Sequence, residues 1–123
     1  TQMHAELQTE YPTLNIPMLA INMIGTEAGL SDVALISTLP VVQDDATLNI
    51  WSEWDGVWRD VKILDAQHEI IHTFNLTQHN LAPGNGFCTD SVSMTQSSCE
   101  GLGETWYGNY EYLKQLFVNA ATQ

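Results

Sequence analysis

The chain has 123 residues, with 15 Asp and Glu against 3 Lys and Arg, a net charge of −12, and 44% apolar residues including 4 Trp. That length supports one domain with a real core, and so high an apolar and aromatic content excludes a disordered acidic tail. Three basic groups are too few to neutralise a run of phosphates, which excludes nucleic-acid binding and docking on anionic membranes.

No apolar run approaches the roughly 18 residues of a membrane span. The longest, Ile16 to Ile24, is broken by Pro17 and Asn22. Residues 1–10 read as the end of a helix: Met3 and Leu7 fall four apart, and Tyr11-Pro12 stops the run. The opening on Thr1 rather than Met, with no charged-then-apolar signal segment, reads as a trimmed or excised piece of something longer. Residues 14–24 lie between Pro12 and Gly25 and predict a buried strand, with Pro17 early in it or at a bulge. Thr26, Glu27, Ser31 and Asp32 are helix-start chemistry and predict a short helix over 31–38. Pro40-Val41-Val42 reads as a short extended piece before the acidic turn Gln43-Asp44-Asp45. Leu48, Trp51 and Trp54 are spaced by threes, which predicts an amphipathic helix over 45–54 ended by Asp55-Gly56. The Trp stripe, with Trp58 beyond it, reads as core packing.

Val57 to Leu64 alternates with period two and predicts a strand. Asp65 to Glu69 is a polar turn, and Ile70 to Leu76 is a second strand rich in β-branched and aromatic residues. Together they make a hairpin. Thr77 to Gly103 reads as loop, and Tyr110 to Ala121 predicts a closing helix with Leu113, Leu116, Phe117 and Ala120 on one face. No internal repeat is visible. The order helix, strand, helix, short helix, strand, strand, helix is an α/β arrangement in a single domain. Asn75-Leu76-Thr77 is a formal glycosylation sequon, read as coincidence because it falls in a predicted strand.

Cys88 and Cys99 are the chain's two cysteines, with ten residues between them. An even count in an acidic, Lys-poor chain suits an extracytoplasmic setting with one disulfide, the alternative being two free thiols. The Gly- and Ser-rich loop around them favours the staple, which would contribute about 2–3 kcal/mol. Neither cysteine has a helix terminus to activate it, so the pair reads as structural and not redox-active.

His68-Glu69-Ile70-Ile71-His72 matches H-E-x-x-H, the spacing that holds zinc on a helix with the Glu activating a water, and His79 follows as a candidate third ligand. The motif sits, however, at a turn leading into a strand-like run. On a strand His68 and His72 stand about 13 Å apart, too far to share one ion. Zinc-dependent hydrolysis by His68, His72, His79 and Glu69 is therefore the lesser alternative.

Leu39-Pro40-Val41-Val42-Gln43-Asp44, the block Val57-Trp58-Arg59-Asp60-Val61-Lys62-Ile63-Leu64-Asp65, then Phe74-Asn75-Leu76-Thr77 and the closing helix together resemble the thioredoxin-like, redoxin-type domains of secreted bacterial proteins. A more distant likeness is to the amino-terminal domain of selenoprotein P. The resemblance covers roughly residues 1–80 and 109–121 and leaves 84–108 as a loop insertion bearing the cysteine pair. It implies a three-layer α/β fold and thiol–disulfide redox chemistry, with Trp58, Arg59 and Asp60 near the redox site and no cofactor. The sequence departs from that pattern twice. The C-x-x-C that the family carries at the start of its first helix is not in these 123 residues. The place of the family's cis-proline reads Arg59-Asp60-Val61, and a carboxylate there would raise the pKa of a facing thiol. As a consequence of the first departure the family's first strand, central in the sheet, is expected to fall outside these residues, so an upstream segment or a protein partner is expected to pair with the strand at 14–24, unless that strand pairs with Val57–Leu64. A redox domain inactive by itself is the leading expectation, and a non-catalytic binding or assembly module of the same fold is the alternative.

Overall fold

The structure of the chain, a computed structural model, describes residues 2–122, without the side chains of Ala34 and Ile36; the expectation drawn from Thr1 lies outside the described residues. It mixes helices with three two-stranded sheets, an α/β composition. The chain divides into two compact units, with the division between Trp58 and Arg59.

In the first unit, helix α1 (Gln2–Glu10) buries Met3 and Leu7 on one side, as their spacing requires. Strand β1 (Ala20–Asn22) pairs in parallel with β2 (Val41–Gln43), Ile21 opposite Val42. Parallel neighbours need a crossover, supplied by a 3₁₀ turn at Glu27–Gly29 and helix α2 (Leu30–Ile36). A cross-strand amide bond ties the pair, Asn22 Nδ2 donating to Gln43 Oε1 at 2.7 Å, and the hydroxyl of Thr26, in the loop after β1, donates to Asn22 Oδ1 at 3.0 Å.

The strand expected over 14–24 shrinks to three residues and is not buried; Leu19 and Ile24 are 55% and 42% exposed. Its partner sets the limit. The ladder closes with Ala20 N–H on Pro40 O and Asp44 N–H on Asn22 O, and beyond it Asp44 turns to serve the next helix. That helix, α3 (Ile50–Glu53), is also shorter than 45–54. Asp45 Oδ1 captures the N–H groups of Thr47 and Leu48, Asn49 is left-handed at φ 50°, and the Asp44 carboxylate accepts from Ile50 and Trp51. Local side-chain bonds therefore hold off the helix until Ile50. The Trp stripe is not a sealed core: Trp51 and Trp54 are half-buried, Leu48 is exposed and Trp58 is 64% exposed.

In the second unit, β3 (Asp60–Leu64) starts three residues later than predicted because Arg59 is left-handed, at φ 68°. It pairs antiparallel with β4 (Ile70–Asn75) across a turn in which Asp65 Oδ1 accepts from the N–H groups of Gln67 and Glu69. The stretch expected to be loop holds β5 (Gly86–Cys88), helix α4 (Gln96–Gly101) and β6 (Trp106–Gly108), with β5 and β6 antiparallel. Sequence periodicity misses three-residue strands, since they are too short to show alternation. Helix α5 (Asn109–Ala121) packs on all four strands of this unit and buries Leu113, Leu116, Val118 and Ala120 beside Ile63 and Phe74 of the core set.

Candidate functional site

Cys88 closes β5 and Cys99 lies in α4, and they form a disulfide with Cα atoms 5.7 Å apart. Cys88 is 4% and Cys99 0% exposed. Attack by an external thiolate needs access to sulfur, so a bond this buried acts as a staple between strand and helix. Thr95 caps α4 by accepting from the Ser98 N–H. Upstream, the Asp90 carboxylate accepts from the Ser93 hydroxyl and from the N–H groups of Ser93 and Val92; these bonds hold its pKa below the ordinary aspartate value.

Of the residues expected near a redox site, Trp58 is exposed and closes the first unit, while Arg59 and Asp60 open the second. Asp60 is the informative one. Its carboxylate pairs with Lys62 Nζ at 3.3 Å and accepts from Asn75 Nδ2 at 2.9 Å. The register explains both contacts: Asp60 lies opposite Asn75, and Lys62, two residues on and so on the same face, lies opposite Thr73. The same Asn75, the acceptor of the formal sequon, is thus engaged through its amide nitrogen.

The H-E-x-x-H residues do not lie on a helix. His68 is in the turn at φ 65°, Glu69 is exposed beside it, and His72 is on β4. His72 and His79 meet at one groove, of about 280 Å³, which they line with Phe74, Phe87, Tyr112 and Leu116; His68 is not part of it. His79 lies on Phe74, ring centroids 4.9 Å apart. Among the described residues no three His, Cys, Asp or Glu side chains are grouped as metal ligands.

The ring cluster around this groove was not visible in the sequence. Phe87 and Tyr107 stack at 5.4 Å, and Tyr112 meets both edge-on, at 5.1 and 5.9 Å. A second groove, of about 270 Å³, runs between β6 and one face of α5, past Trp106, Tyr107, Glu111, Tyr112, Gln115 and Asn119. The only sequence signal was the density of aromatics from Trp106 to Tyr112.

No family model matches this chain, and no curated protein or solved structure matches it.

Proposed function

We propose that the chain is a thioredoxin-like domain of an extracytoplasmic thiol–disulfide redox protein and is inactive as an oxidoreductase by itself. The observation that carries this reading is the order and sense of pairing: a parallel β1–α2–β2 crossover, then an antiparallel β3–β4 hairpin, then α5 packed on that hairpin. The Cys88–Cys99 disulfide suits an oxidising compartment. No described helix is long and apolar enough to cross a membrane. Asp60 stands where the resemblance puts the family's proline. Its pairing with Lys62 and its bond from Asn75 offset the negative charge a facing thiol would meet. One observation favours the non-catalytic alternative: both cysteines of the chain are consumed in a buried disulfide.

Insulin reduction by dithiothreitol tests the proposal. This chain is expected to leave the rate unchanged, and a longer natural polypeptide carrying it behind a C-x-x-C is expected to accelerate it. Acceleration by this chain alone, abolished in Cys88→Ser/Cys99→Ser, would refute the structural role of the pair. A natural polypeptide with no C-x-x-C ahead of these residues would leave binding or assembly as the function.

A further inference from the structure

We propose that the groove between β6 and α5 binds an arginine side chain presented by a partner polypeptide. The groove combines aromatic rings with acceptors: Tyr107 and Tyr112 supply the rings, and Glu111 and Gln115 the oxygens. Aromatic faces attract cations, and a planar guanidinium stacks on them while its N–H groups reach sideways to oxygen. Tyr107 and Tyr112 are 41% and 36% exposed, so their surfaces are open to a ligand. Glu111 is exposed, and among the described residues it has no ion-pair or hydrogen-bond partner of its own. Gln115 spends its Nε2 on Asn119 Oδ1 at 2.9 Å, which leaves its Oε1 as a second acceptor.

The platform is held in advance of binding. Phe87 stacks behind Tyr107, and Tyr112 meets both rings edge-on. Rings that do not need ordering lower the entropic cost of association. The volume, about 270 Å³, suits one long side chain and not an extended segment. Charge selects the occupant: a chain of net charge −12 draws cationic partners and repels acidic ones. Arginine fits better than lysine because a compact, strongly hydrated ammonium cannot stack on the rings while also spanning two acceptors. The site uses neither cysteine and no residue of β3, so it stands whether or not the chain serves redox chemistry.

The test is a 1H–15N NMR titration of the whole chain with a blocked Gly-Arg-Gly peptide, its citrulline counterpart and its lysine counterpart, each at low and at physiological salt. Saturable shifts are expected at the Tyr107, Glu111 and Tyr112 amides. They should weaken about tenfold with citrulline or in Glu111→Gln, which removes a charge-assisted bond at an exposed position. The proposal is overturned if these amides do not move or the citrulline peptide binds equally well. Shifts scattered over the acidic surface, lysine matching arginine, or an unchanged Glu111→Gln response would each do the same.

Discussion

Asp44 has no exposed surface, and its environment pulls its proton affinity in two directions. Burial raises the pKa of the carboxyl, but the N–H groups of Trp51, Ile50 and Asp45 together outweigh it and hold the group below the ordinary aspartate value. A pKa depressed by folding means stability that is present above the unfolded value and lost as pH falls through the folded one. Asp90 and Glu27 are shifted in the same direction, Glu27 chiefly by the Gly25 N–H. The melting temperature is therefore expected to hold down to about pH 5 and to drop progressively below it, through the unfolded-state values and on toward the depressed folded ones. Asp44→Ala should melt lower at neutral pH and show a flatter acid limb, and a variant as acid-sensitive as the parent would rule out this account. Gly86 is the other residue whose identity is dictated locally. A Cβ there would stand 2.2 Å from the Tyr107 carbonyl oxygen, a backbone atom that cannot rotate away. Gly86→Ala is expected to cost about 1–3 kcal/mol by overpacking, read by denaturant unfolding.

At the scale of elements, short strands are held by cross-links and backing rather than by their own ladders. Strands β5 and β6 have three residues each, and a two-stranded ribbon of that length is not stable by itself. The disulfide ties β5 to α4, which contacts both strands, and α5 covers them from its own side. Cys88→Ser/Cys99→Ser should lose about 2–4 kcal/mol. Hydrogen exchange should speed up first in β5, α4 and β6, and less in the β3–β4 hairpin. Uniform acceleration across the second unit would show that the staple acts globally and not on these elements. Because the sulfurs are buried, reduction by a phosphine under native conditions is expected to be slow and to accelerate with denaturant.

At the scale of the molecule, charge is unevenly distributed. Up to Trp58 the chain carries eight acidic groups and no Lys or Arg; all three basic groups follow, against seven acidic ones. Of those three, Lys62 is engaged with Asp60 and Lys114 is 6% exposed in α5, so little positive charge faces solvent. Self-repulsion of this kind opposes compaction and is screened by salt. Raising sodium chloride from about 10 mM to about 200 mM should raise the melting temperature. A flat or falling response would show that the carboxylates are spaced too widely to repel.

The long elements were legible in the sequence because each obeys one period. Met3 and Leu7 mark α1, the alternation through Lys62 and Ile63 marks β3, and the spacing of Leu113, Leu116 and Ala120 marks α5. The five-residue turn at 65–69 and the pairing of Cys88 with Cys99 were legible for the same local reasons. Local chemistry also trimmed elements in ways periodicity does not register: Asp44 and Asp45 capture the N–H groups that a helix over 45–54 would use, and Arg59 turns left-handed where a strand was expected. What remained hidden depends on residues far apart in the chain. Asp60 meets Asn75 only because a hairpin sets them opposite each other, and nothing in the spacing of α5 signals that Lys114 is only 6% exposed. The two grooves exist because Phe87, Tyr107 and Tyr112 converge from two strands and a helix. Composition and spacing therefore determined the charge, the longer elements and the staple, since each follows from neighbours in sequence. The ring cluster and its acceptors were decided by tertiary packing alone, because no local pattern encodes which distant side chains will share a surface.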